Sequence, residues 1–361
     1  MLPDRRRSFL FAFAFLLGAL ALIWQLRQRQ GYEAQQRRGD GKHLASYGFP
    51  LTPLRIDAAD IVPAGVPRDG LAALEFPARL DSAGLAALNA RGRSAFLLGS
   101  DRVIGVERAG QALAYPLSIL DWHEVVNDSL GGAPLLVTWN PLCGAACVYD
   151  PGARRFGVSG LFYASNLLLY DRAGLADARP AGGAAGAESL WSQLTGRALA
   201  GPAAARGDSL ARLPFALTRW DDWRARHPQT RVIAPDPDGL ARKYRRKPYT
   251  SYLGSDRLQY PVRRLPDTAA PGALRLKEPV LSVWVDEARR LYPLSLLAAR
   301  AGAPGVWADS LGGRALAFRV WPGDPAVATV RAEGGAPLLS AVGFWFAWYA
   351  QEPAAVALLA R

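Results

Sequence analysis

Apolar and polar positions along this chain group into short runs that glycine and proline keep cutting. Residues 102–106 (RVIGV) and 112–117 (ALAYPL) flank the turn Ala109-Gly110 and read as a β-hairpin. Residues 134–139 (PLLVTW), 147–149, 155–159 and 167–170 are further strand candidates between turn signals. The stretch TRWDDWRARH, residues 218–227, carries a helical pattern that Pro228 stops. Residues 172–188 are an Ala/Gly-rich segment of low complexity, expected to form an exposed loop, and structure restarts at SLWSQ, residues 189–193. In the Pro/Gly-rich loop near residue 63, Asp69 is expected to cap a turn through backbone amides. With 36 glycines and 27 prolines, many short elements are favoured over long helices, so the pattern predicts a β-rich α+β fold with a few short helices.

One segment departs from this pattern. Residues 9–24 form an uncharged apolar run preceded by Arg5, Arg6 and Arg7 and closed by Arg27 and Arg29. A positive region ahead of an apolar stretch is the build of an export signal. The run is slightly short of the ~20 residues that span a bilayer, although Trp24 and the arginines would anchor its ends. The favoured reading is an uncleaved signal anchor, a transmembrane helix contacting lipid through residues 8–25, with a cleaved signal peptide as the alternative. It places the chain in the inner (cytoplasmic) membrane as a single-pass protein, its C-terminal part facing the periplasm or cell exterior. Residues 31–60 are polar at first and read as a tether, with His43 exposed in it.

The globular part carries an internal repeat. AYPLSIL at residues 114–120 recurs as LYPLSLL at 291–297, and NDSLGG at 127–132 recurs as ADSLGG at 308–313. The Trp220…Trp223 spacing with Pro228 has its echo in Trp345…Trp348 with Pro353. Three matches in one order predict two degenerate tandem copies of a mainly antiparallel β unit. The expected layout is an anchor at residues 1–30, a tether at 31–60, a first copy at 61–235 and a second at 236–361. The comparison also works as an internal control. Tyr115-Pro116-Leu117 and Asp128 occur in both copies and read as frame, Asp128 as a turn cap. Residues found only in the first copy are the candidates for chemistry.

Composition narrows the partners. The net charge of +12 comes mostly from arginines scattered along the chain, which is no nucleic-acid stripe, and no nucleic-acid partner is expected. The one dense basic cluster, Arg242, Lys243, Tyr244, Arg245, Arg246 and Lys247, reads as a solvated linker loop, with anionic lipid or an acidic partner as the alternative. Two cysteines exclude a disulfide scaffold but leave one bridge, a redox pair or a thiol metal site open. No nucleotide cofactor is indicated.

Rare reactive side chains concentrate in residues 115–150, which hold both cysteines, Cys143 and Cys147, and His123, one of three histidines. Thiolates with one imidazole suit copper or zinc, so His123, Cys143, Glu124 and Cys147 are the candidate metal ligands. An alternative is nucleophilic catalysis with Cys143 as thiolate, His123 as base and Asn127 or Asp128 orienting it. A disulfide, or buried cysteines with a hydrogen-bonded core histidine, are the plainer readings, and a non-catalytic scaffold or interaction module of the cell envelope is a third function class. A spacing of four keeps His123 with Asn127, and Glu124 with Asp128, on one face of either a helix or a strand.

These residues resemble a bacterial and archaeal family, domain of unknown function 3179. The resemblance runs through DRVIGV at 101–106, WHEVVND at 122–128, FGVSGL at 156–161, SLWSQ at 189–193 and Trp220…His227-Pro228, and covers roughly residues 60–350. Members commonly show Cys-Pro-Leu-Cys at the cysteine loop. Here Asn140 stands in the first of those positions, and Cys147 follows Cys143 by four. The resemblance implies a family identity and assigns no activity.

Overall fold

The computed structural model describes residues 38–91, 95–172, 188–236, 244, 246–302, 305–321 and 327–360. The expected transmembrane segment and the low-complexity core of residues 173–187 lie outside them, as do Arg242, Lys243 and Arg245. Among the described residues no helix is long and apolar enough to cross a membrane.

The protein is β-rich with a few short helices. Strands Arg102–Arg108 and Gln111–Pro116 pair antiparallel, and the turn between them puts Ala109 and Gly110 at φ 50° and 71°. Two successive positive φ values match the right-handed twist of a two-residue hairpin. The chain then enters the helix Leu117–His123 through Pro116, whose φ of −62° already suits the first turn. It leaves through Glu124 into strand Val125–Leu130, turns at Gly131-Gly132 and returns as Ala133–Asn140. This order occurs again further on: strands Pro279–Val285 and Ala288–Pro293, helix Leu294–Ala301, strands Val306–Leu311 and Arg314–Trp321. The first strand of each series is flanked by one that runs into a Trp-rich helix. Strand Ala216–Arg219 leads to Trp220–Arg226, and Leu339–Phe344 leads to Trp345–Gln351.

Both series feed one eight-stranded sheet. Strand Ala145–Asp150 pairs with Ala133–Asn140 on one side and meets Leu339–Phe344 on the other, so the sheet runs across residue 235 without a break. Its central strands are covered on both faces. Val126, Val137 and Trp139 pack into one apolar cluster with Val283, Tyr292 and Val342, whereas Val125, Leu136, Cys143 and Cys147 pack into another with Phe156, Trp191 and Phe346. Successive residues of a strand alternate between faces, which is why neighbours such as Val125 and Val126 enter different cores.

Two expectations change here, and two helices are added. From Arg38 on, the supposed tether belongs to the packed body: Tyr47 is fully buried and its hydroxyl donates to the Val66 carbonyl at 2.6 Å. Asp69 has φ 52°, and its carboxylate takes the Tyr170 hydroxyl and the Arg172 guanidinium instead of turn amides. Helices Ser82–Arg91 and Leu117–His123 carry too little apolar periodicity to be seen from pattern alone.

Candidate functional site

WHEVVND is not one element. Helix ends at His123, Glu124 takes φ 57° as the C-cap, and strand begins at Val125. A spacing of four keeps residues on one face only within a single element, and the left-handed residue ends one element and starts the next. His123 and Glu124 accordingly find partners unrelated to those of Asn127 and Asp128.

His123 is 4% exposed, and both ring nitrogens are engaged, Nδ1 with the Ala72 carbonyl and Nε2 with the Tyr244 hydroxyl, each at 2.7 Å. Burial holds its pKa below the usual histidine value, against the pull of the Ala72 bond. Asn127 ties two sheets together. Its Nδ2 donates to the Phe156 carbonyl at 2.8 Å and to Glu75 at 3.0 Å, while its Oδ1 accepts from the Phe156 amide at 2.8 Å. Asp128 accepts the Tyr115 hydroxyl at 2.9 Å and an Arg79 N–H at 2.6 Å. Its place in the frame comes from this strand-to-strand bond; it caps no turn.

The cysteines lie in the opposite core from Trp139. Cys143 donates to the Ser165 carbonyl at 3.1 Å, and Cys147 lies 3.6 Å from both the Leu194 carbonyl and Arg212 Nη1. Both thiols are free and buried. Burial pushes each above the ordinary thiol range; at Cys147 the Arg212 charge opposes this. Neither is an activated thiolate, and neither sulfur is bonded to His123. Among the described residues no three His, Cys, Asp or Glu side chains lie together in a way that could hold a metal ion, so His123, Cys143, Glu124 and Cys147 do not converge into a ligand set.

Glu124 stands out instead. It is 2% exposed, and Oε2 has no hydrogen-bond partner among the described residues. Burial pushes its carboxyl up to about 8, Asn140 pulling down and Asp121 adding to the rise. The acid is therefore largely protonated at neutral pH. Asn140 is fully buried; its Oδ1 accepts from the Cys143 amide at 3.0 Å, which holds the turn of residues 140–143, while its Nδ2 makes no hydrogen bond of good geometry and interacts only with the Glu124 carboxyl, whose pKa it lowers. Ser165, which follows Ala164 at φ 49° in the neighbouring hairpin, also has an unpartnered buried hydroxyl. Near these atoms lies a satisfied hydrogen-bond network. Gln193 donates to Thr138 Oγ1 at 2.9 Å and to the Ala145 carbonyl at 3.1 Å, and accepts from Asn166 at 2.9 Å. Tyr252 donates to the Leu142 carbonyl at 2.8 Å.

Sequence reading thus named Glu124 but gave it the wrong company. Ser165 and Gln193 were missed as members of the cluster; Gln193 lay in the SLWSQ motif, and Asn140 was visible only as a departure from the family pattern. No local signal marks Ser165.

Fold and site together define a β-rich protein with one buried acid–amide cluster beside its cysteine loop. The chain belongs to the family described as protein of unknown function (DUF3179), whose model matches residues 77–336. No curated protein and no solved structure matches it.

Proposed function

We propose that this chain is an exported, membrane-anchored binding protein, built as two tandem copies, whose first copy holds a small neutral ligand at Glu124. The observation that carries the reading is Glu124 itself. A non-glycine residue in the left-handed region costs about 1–2 kcal/mol, and an unsatisfied buried polar group costs about 1–3 kcal/mol more. After the corresponding helix the second series has Gly302, at φ 58°, where the conformation is nearly free of strain. Strain and desolvation retained at one buried acid point to a use for that acid. A protonated carboxyl beside an amide N–H pairs naturally with a ligand that offers a carbonyl and a donor side by side, such as a primary amide or a lactam.

Saturation-transfer NMR with acetamide and 2-pyrrolidinone on the full chain tests this. Binding by wild type, retained in Glu124→Gln and lost in Glu124→Leu, is expected. Binding of neither probe, or equal binding by Glu124→Leu, would show that the polar pair holds only water. The anchor is tested apart from the site, with a reporter that is active only after export fused to residue 361. Activity that disappears when residues 1–30 are deleted is the expected result.

A further inference from the structure

A recess lies at the seam between the two series. Its volume is about 270 Å³, a little below the ~300–1,000 Å³ of small-molecule sites, so any occupant is small. Its lining comes from both series and from the connector between them, and two corresponding pairs of positions take part. Arg102 and Pro279 open the first strands of the two series. Leu217 and Val342 each lie three residues before the first tryptophan of the following helix. At the first of these pairs the two series differ in charge: one side has a guanidinium and the other a proline ring.

The cations on the wall differ in what they are already doing. Lys277 is 8% exposed, its ammonium bonded to the carbonyls of Tyr252 and Ser255 at 2.6 Å each and seated 3.4 Å from the Tyr252 ring centroid. It fastens the wall segment of residues 253–256. Arg275 and Asp256 are exposed at the rim; Arg275 lies 3.9 Å from the Glu278 carboxylate, and the Asp256 charge acts on Lys277. Arg102 has no ion pair and no side-chain hydrogen bond among the described residues. Its guanidinium lies 5.9 Å from the Trp139 ring centroid. The carboxylate whose charge reaches it is Asp121, but Asp121 Oδ1 is occupied by the Trp139 indole N–H at 2.8 Å. A guanidinium presents five N–H donors in a planar fork suited to an oxyanion. Beyond it the walls are apolar: Leu217, Leu294, Val342 and Phe344.

We propose that this recess binds a small anion with an apolar body, its carboxylate or phosphate head on Arg102 and its body between Trp139, Leu217, Leu294 and Phe344. The Arg102 head site lies next to the Glu124 cluster but on the other face of the sheet: the Glu124 carbonyl accepts the Trp139 amide at 2.8 Å, while the Trp139 and Asn140 side chains point to opposite sides. Neither series alone could form it, which gives the paired architecture a purpose that a single unit lacks.

The test uses the full chain in phosphatidylcholine nanodiscs, with empty nanodiscs as reference, and isothermal titration with octanoate, octyl phosphate, octanol and acetate. Octanoate or octyl phosphate is expected to bind, the stronger of the two identifying the head group, with acetate and octanol at least about tenfold weaker because each lacks one half of the contact. Arg102→Met should weaken the anion about tenfold or more and leave octanol unchanged. A diazirine analogue of octanoate should label wild-type peptides that carry Trp139, Leu217 or Leu253, a readout that stands even where the variant does not fold. No binding of either amphiphilic anion, equal binding of octanol, or labelling confined to other peptides overturns the proposal. Glu124→Leu should leave octanoate binding intact, so failure at one site is distinguishable from failure at the other.

Discussion

The Tyr115 hydroxyl donates to Asp128 Oδ2 at 2.9 Å, joining the strand that enters a helix to the strand that leaves it. Tyr292 and Asp309 make the same bond at 2.8 Å in the second series, again with an arginine, Arg290, on the carboxylate. Asp128 is 3% exposed, whereas Asp309 is partly exposed. A hydrogen bond to a charged group contributes about 1.5–3 kcal/mol when buried and less when water can replace it. Tyr115→Phe should therefore lower stability by about 2 kcal/mol, and Tyr292→Phe by clearly less, in urea unfolding of the two variants. Equal losses would count against burial as the cause.

Glu124 should make stability fall as pH rises from about 4.5 to about 8, opposed in the lower part of that window by His123 and His227, which burial holds below the usual histidine value. The folded protein holds the Glu124 proton up to about 8, while the unfolded chain releases it near 4.5. Across that window the folded state binds more protons at Glu124, so the contribution of Glu124 to the slope of unfolding free energy with pH is negative. Asp121, pushed up to about 6 chiefly by burial, adds to the lower part of the window. Glu124→Gln should flatten the melting-temperature profile between pH 6 and 8 and reduce the slope below pH 6 to the share of Asp121, as followed by calorimetry.

Glu124→Gly should raise the melting temperature at pH 8.5. It removes an ionised buried carboxylate and relieves a φ of 57° that glycine tolerates. A stabilised protein that has also lost amide binding would be a trade of stability for function. A lower melting temperature would mean that the carboxyl packs favourably, and the strain argument would fail.

Neither cysteine should react with iodoacetamide in the native protein at pH 8, and both should react once it is unfolded. Both sulfurs are fully buried, with thiols held above the usual range. Mass spectrometry of the alkylated peptides reads the result. Fast native labelling of Cys143 would restore the nucleophile reading that the structure disfavours.

Gly105→Ala should be disproportionately harmful for so small a change. A Cβ there would sit 2.4 Å from the Trp223 ring, and Trp223 is 1% exposed, held by its indole N–H on Thr230 Oγ1 at 2.9 Å. Overpacking against a fixed ring costs about 1–3 kcal/mol, measurable by chemical denaturation, whereas Gly110→Ala, with open space around its Cβ, should cost only the strain of its positive φ.

The sequence by itself determined the strands, because period-two patterns and turn residues are local properties. The hairpin at Ala109-Gly110 and the strand after Gly131-Gly132 fall where pattern placed them, whereas strand Val125–Leu130 lies in a stretch whose pattern left helix and strand open. The family identity was equally legible in motifs that turn out to be packing devices: Gly105 under Trp223 and Gln193 at the centre of a buried network. Tertiary structure alone decided who stands beside whom. His123 met Tyr244, 121 positions away, and Asn127 met Phe156, because contacts between strands are set by sheet order and not by spacing. One backbone angle, the positive φ of Glu124, broke the periodicity on which the site had been assembled. It moved the chemical interest from a cysteine–histidine pair to a lone buried acid beside Asn140.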